Sequence, residues 1–193
     1  MSGGNEPNIL NRIEAAKKEY YDEKPKNLLF KKQQKFDCAE SVTKNIELTT
    51  ILPIIFSVEG DTISLNYNVL KVVLCPSAYL PLANYLFSIT EQIIGTYSKY
   101  NLKLDLAGLT MSAIDRAREF VVVVSSEGMR NGKGLLKHLN LIHIQNPPSF
   151  VEYLCSIVIP IVDPVIKDRF VIYLKNGNVV KYVGKLNNRP VSE

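Results

Sequence analysis

Residue types that catalysis draws on are sparse in this chain. Its two histidines are His138 and His143. His143 lies inside the apolar run Leu139 to Gln145, with no carboxylate or thiol close to it in sequence. It reads as a core or edge histidine rather than a base or a metal ligand. Cys38, Cys75 and Cys155 are odd in number and widely spaced, so neither a zinc site nor a thioredoxin motif is supported. They read as buried free thiols in a reducing compartment, where an unpaired Cys behaves as a small apolar residue. There is no Gly-x-Ser-x-Gly elbow. The run Gly128-Met129-Arg130-Asn131-Gly132-Lys133-Gly134 has the composition of a phosphate loop. It lacks the four-residue spacing and the Ser or Thr after Lys, and it follows a helical pattern rather than a strand. Asp105 and Asp163 read as loop and cap residues whose carboxylates accept backbone N–H groups. No catalytic set, metal set or cofactor set emerges, and an enzyme is not expected.

Two features point to binding instead. The first is Phe150 to Val162, FVEYLCSIVIPIV, in which only Glu152 and Ser156 interrupt an apolar helix. A helix apolar on every face is buried on every face, or it meets lipid or a partner. It is either a core helix of a two-layer domain or a cover over an apolar cavity. The second feature is charge. Lys17, Lys18, Lys24, Lys26, Lys31, Lys32 and Lys35 face only Glu19, Asp22 and Glu23 within that segment, a net +4 that equals the charge of the whole chain. Such a patch is a solvated face, or it meets anionic headgroups or an acidic protein surface. Nucleic acid is not expected, because no basic and aromatic stripe continues into the body.

The elements that must position these features follow from length and punctuation. A chain of 193 residues with 46% hydrophobic content suits one domain with a real core. No apolar run reaches the roughly 18 residues of a membrane span. The start, MSGGNEPNIL, lacks signal-peptide order. A soluble, intracellular protein is the expectation. Periodicity predicts a helix over 8–21 that stops before Pro25, an apolar anchor at Leu28-Leu29-Phe30, and a short helix over 38–45. Strands are predicted over 51–58 and 62–67, with a hairpin turn at Glu59-Gly60-Asp61. Leu70 to Leu74 either extends the sheet or packs under it, and a long helix is predicted over 77–99. Strands follow over 102–106, 139–145 and 170–174. The β-branched run Phe120 to Val124 is assigned to a helix over 112–126, since a strand there would leave no crossover before Leu139. A polar loop is read over 127–134, and Asn176-Gly177 signals a hairpin to a strand over 179–183. The result is an α/β fold with a largely parallel sheet and crossover helices. Its divisions are a basic N-terminal extension with short helices (1–47), an α/β domain (48–185) ending in a β-hairpin, and a loose tail (186–193).

In that order the loops resemble the CRAL-TRIO family of lipid-carrying domains. The family pattern has a strand ending in D-x-x-G, a helix, a strand ending in N-x-P, a gate helix, P-x-x-D-P and another strand. The matching residues are Asp105 and Gly108, Asn146 and Pro148, and Pro160, Asp163 and Pro164, over roughly residues 65 to 174. The segment LLFKKQQKFDCA, Leu28 to Ala39, is similar to the compact CRAL-TRIO-like proteins of large DNA viruses. The resemblance implies a sheet forming one wall of a lipid-sized cavity, with Phe150 to Val162 as its gate. It implies binding, exchange or presentation of one hydrophobic ligand. Phe120, Phe150, Tyr153, Leu154, Ile157, Val158 and Ile161 would line the site, and Arg169 would keep the family's positive charge after D-P. The chain also departs from the family. Lys137 stands where phosphatidylinositol-exchanging members have Glu, and Tyr100 and Leu102 stand where choline-binding members have Ser and Thr. The helical N-terminal lobe is shortened, and a hairpin replaces the C-terminal segment.

Two functional expectations result. One is a lipid-binding or lipid-transfer module, cytoplasmic or peripheral on an anionic membrane, taking lipid or another hydrophobic small molecule and no cofactor. The other is a structural protein reusing the fold with a protein partner in a larger assembly, such as a minor capsid component of a virion.

Overall fold

Apolar runs that end in turn residues become the strands of one sheet. The computed structural model describes residues 6–27, 29–130, 134–158, 160–161, 168–174 and 179–181. Among them are the helices α1 (Glu6–Glu23), α2 (Lys31–Asn45) and α3 (Leu48–Ile55), then strands β1 (Phe56–Glu59) and β2 (Thr62–Asn66). Helices α4 (Tyr67–Val73) and α5 (Tyr79–Tyr97), strand β3 (Tyr100–Asp105), helix α6 (Met111–Arg130) and strand β4 (Leu139–Gln145) follow. Helix α7 (Val151–Val158) and strands β5 (Phe170–Tyr173) and β6 (Val179–Lys181) complete the order. The six strands lie side by side in chain order. β2 to β5 are parallel, while β1 and β6 are antiparallel at the two edges. The fold is therefore mixed α/β with a mostly parallel sheet.

Register sorts the strand residues onto two faces. One face carries the rows Ile63, Leu102, Ile142, Phe170 and Leu65, Leu104, Ile144, Ile172. These join one buried cluster with residues of all the described helices. The other face carries Ser57, Ser64, Lys103, His143 and Val171 in one row. Period-2 alternation of this kind is expected of a sheet covered mainly on one side.

Ile9, Ile13, Ala16 and Tyr20 of α1 are buried, and so are Phe36, Ala39 and Val42 of α2. The described part of the N-terminal segment thus packs into the same core as the sheet. Both helices run longer than their periodicity suggests.

The strand expected over 51–58 is a correction. Residues 51–55 finish α3, and only Phe56–Glu59 is strand. Ile51, Leu52 and Ile55 are buried together at helical spacing. Pro53 would have removed a ladder hydrogen bond from a strand; inside α3 it likewise cannot donate to the preceding turn, so burial rather than propensity holds this short helix. Tyr67 is likewise helical rather than strand, because Asn66 accepts from Val69 N at 3.3 Å and starts α4. Leu70 to Val73 therefore pack under the sheet. The turn at Gly60, with φ of 57°, forms as expected. Phe120 to Val124 are helical within α6, which runs on to Arg130 through part of the expected loop. β6 pairs with β5, while Asn176-Gly177 and the expected tail lie outside the described residues.

His143 stands on the polar face, its Nδ1 2.8 Å from Tyr173 Oη. Burial holds its pKa below the ordinary 6.5, and Lys103 adds to the effect while Asp61 opposes it. The folded chain therefore binds this proton less readily than the unfolded chain. Its contribution to stability is complete above pH 6.5 and is lost as pH falls through that value towards the folded pKa. We expect His143→Gln to flatten the fall in melting temperature between pH 7.5 and 5. An unchanged slope would assign that fall to other groups.

Candidate functional site: an apolar cavity under α7

Two loops at the carboxyl ends of β3 and β4 are latched together. Asp105 accepts from Ala107 N and from Asn146 Nδ2, each at 2.9 Å. Leu106 N donates to Gln145 O at 3.0 Å. Gly108 and Asn146 take left-handed backbone, with φ of 72° and 47°, which Gly and Asn tolerate best. Asp105 is the last residue of β3 rather than a loop residue, though its carboxylate accepts a backbone N–H as expected, while Asp163 lies outside the described residues. The latch ties together the loops that lead into α6 and α7. At the other end of α7, Ser125 of α6 donates to Ile161 O at 3.0 Å.

Between these elements lies a cavity of about 190 Å³ with an entirely apolar surface. Leu65, Leu104, Ile144 and Phe170 form its floor on the sheet. Ile114, Ala117, Phe120 and Val121 of α6 form one wall. Leu154, Cys155, Ile157 and Val158 of α7, with Ile161 after it, form the cover.

The structure thus brings Phe120, Leu154, Ile157, Val158 and Ile161 to this cavity but not the other three expected residues. Phe150 is half-buried ahead of α7, where its carbonyl accepts from Leu154 N at 3.0 Å. Tyr153 is 52% exposed, on the side of α7 away from the buried Val151 and Cys155. Arg169 donates through Nη1 to Leu136 O at 3.2 Å and Lys137 O at 3.3 Å, which clamps the turn before β4. α7 is therefore not apolar all round: Glu152, Tyr153 and Ser156 are exposed. The floor residues were missed, although their alternation along each strand marks them as core-facing.

All three cysteines are free and buried. Burial, with Glu152 adding to it, pushes the Cys155 thiol up to about 11. Its thiolate fraction at pH 8 is then about a hundredfold below that of an ordinary thiol. We expect a soluble thiol reagent to leave Cys155 unlabelled in the native protein and to label it once denaturant is added; rapid native labelling would show that α7 opens readily.

The basic segment is placed less uniformly than its composition suggests. Lys17 meets Glu14 at 3.1 Å, and Lys18 lies 3.9 Å from Asp22. Lys24, Lys26 and Lys32 lie over the rings of Tyr20, Tyr21 and Phe36. Lys31 is exposed, while Lys35 is half-buried. Between them, Leu29 and Phe30 are 88% and 67% exposed, so they do not anchor the segment to the domain. Leu28 lies outside the described residues.

No single helix among the described residues is long and apolar enough to cross a membrane; the segments 67–73 and 76–97 qualify only as a pair bent by 115°. No protein-family model matches the chain, and neither a curated protein nor a solved structure does so.

Proposed function

We propose that this protein is a lipid-binding module of CRAL-TRIO type, holding an apolar ligand between its sheet and α7. The observation that carries the reading is the apolar cavity beneath the helix expected to be the gate. Apolar area removed from water contributes about 25 cal/mol per Å² to such binding. At about 190 Å³ the cavity is smaller than most ligand pockets, which run to about 300–1,000 Å³. A lipid chain therefore enters with outward movement of α7. That eight-residue helix is the wall most easily moved, since only Val151 and Cys155 are fully buried.

Native mass spectrometry after incubation with mixed liposomes, then solvent extraction, tests the reading. Wild-type protein gains a discrete mass that extracts as lipid. Ala117→Phe places a phenyl ring in the cavity, which has room for it, since benzene fits an engineered cavity of about 150 Å³. That variant stays folded by circular dichroism and gains no mass. Equal uptake by both proteins overturns the proposal.

Membrane docking falls to Leu29 and Phe30 with Lys24, Lys26, Lys31 and Lys32 around them. Each lysine near an anionic surface contributes about 1 kcal/mol, and each buried apolar side chain about 1.5–3 kcal/mol. Leu29→Ser with Phe30→Ser is expected to weaken sedimentation with phosphatidylserine vesicles at least about tenfold. Unchanged sedimentation would remove this surface from the reading.

The cavity's size favours a second reading, a structural protein that reuses the fold and binds a protein partner. It predicts a clean apoprotein mass after the liposome incubation and tight co-purification with that partner.

A further inference from the structure

A second cavity, of about 260 Å³, lies where α1, α2 and α4 meet the start of α6. The charged residues lining it are Lys17, Lys35, Lys71 and Arg116, and among the described residues no carboxylate joins them. Lys17 is partly neutralised by Glu14. Lys35 and Lys71 have no acidic partner within ion-pair distance among the described residues. Burial lowers the pKa of Lys35, and the charges of Arg116 and Lys31 lower it further.

Arg116 decides what this cavity is for. It is 6% exposed. Its Nη1 donates to Lys71 O at 3.3 Å, and its buried Nε has no partner. A buried charge is normally paired, because leaving water costs several kcal/mol. The groups that favour the charge of Arg116 are the Tyr67, Tyr21 and Tyr79 hydroxyls and the Cys38 thiol, none of them a carboxylate, while Lys35 carries a like charge near it. Guanidinium does not deprotonate in proteins. Among the described residues it has no counter-charge.

The start of α6 supplies an independent feature. Gly108, Thr110 and Ala113 line the same cavity. α6 is 20 residues long and has no acidic residue in its first turn. The N–H groups of Ala113 and Ile114 already donate to Thr110 O, at 3.0 and 3.2 Å, so what this end of the helix offers an anion is the positive end of its dipole. The cavity also lies beyond the carboxyl ends of β2 and β3, where open parallel sheets place their ligands.

We propose that this cavity binds the phosphate group of a ligand. A guanidinium fork and ammonium groups beside the positive end of a helix dipole suit a dianion with several free oxygens better than a single carboxylate. Two sources carry that group: a phospholipid head, or a water-soluble phosphate compound. The geometry accommodates the lipid source, because Tyr67 borders both cavities. Gly108 and Ala113 face the cationic cavity, while their neighbours Leu109 and Ile114 face the apolar one. The lipid source rests on the function proposed above; the phosphate site does not.

Calorimetry of the full chain with sodium phosphate, against sodium chloride of equal ionic strength, is the first arm of the test. Flotation with phosphatidylcholine vesicles containing phosphatidic acid, then extraction of the protein, is the second. Expected is phosphate binding above the chloride control, weakened tenfold or more by Arg116→Gln and by Lys35→Gln. Lys35 is only half-buried, so its variant remains informative if Arg116→Gln misfolds. Extraction of phosphatidic acid that Ala117→Phe abolishes, with inorganic phosphate still bound, identifies a lipid ligand. Phosphate binding with no extraction identifies a water-soluble ligand, so the phosphate site stands while the lipid reading fails. The proposal is overturned if phosphate does no more than chloride and no phosphatidic acid is extracted. It is equally overturned if neither probe is weakened by either charge variant.

Discussion

Ile63→Ala and Ile172→Ala each lower the unfolding free energy by about 2–5 kcal/mol, the range for truncating a large aliphatic side chain in a core. Both side chains are fully buried on the helix-covered face of the sheet. Residues on the other face of the sheet supply the contrast. Ser64→Ala and Lys103→Ala lie on the opposite face, where surface substitutions stay within about 0.5 kcal/mol. Guanidinium unfolding measured for the four variants reads both rows at once. In a domain of this size each kcal/mol corresponds to about 2–4 °C in melting temperature, so the two sets separate clearly. Comparable losses from both rows would mean that the sheet is covered on both faces, and the two-layer arrangement would be wrong.

The sheet was legible because its strands are bounded by residues with their own local physics. Gly60, Gly108 and Asn146 each take positive φ, and each sits where an apolar run stops. The α6 assignment was legible from topology: two parallel strands need a crossover, and that requirement overrides the strand propensity of Val121 to Val124. Ile51 to Ile55 was misread because a short apolar run has no decisive period, and Pro53 was the signal that argued against a strand. The composition of α7 indicated burial but not on which face, so Tyr153 was placed at a cavity it turns away from. Arg169 was assigned by position, whereas its partners are carbonyls of the turn before β4. The cationic cavity was not legible at all. Arg116 bonds a carbonyl 45 positions away, and the isolation of its Nε exists only once four helices have packed.

Arg116→Met is expected to stabilise the ligand-free protein by about 1–4 kcal/mol, the gain seen when buried ionic groups give way to apolar residues of similar volume. Met keeps the flexible apolar stem and removes the charge, the unpartnered Nε and the repulsion from Lys35 and Lys71. One loss opposes this. Lys71 O, in the last turn of α4, gives up its hydrogen bond from Nη1. That bond, at 3.3 Å, is long for its type. The gain in the variant should shrink as phosphate is added, because a ligand that binds only the folded wild type stabilises it by RT ln(1 + [L]/Kd). Melting curves of both proteins across a phosphate series, at constant ionic strength, make the comparison. Curves that start with the variant higher and then converge or cross mean that wild-type stability is reduced to keep an anion site open. A variant that melts lower without phosphate, by a gap that phosphate does not change, would make Arg116 a structural residue holding α4 against α6.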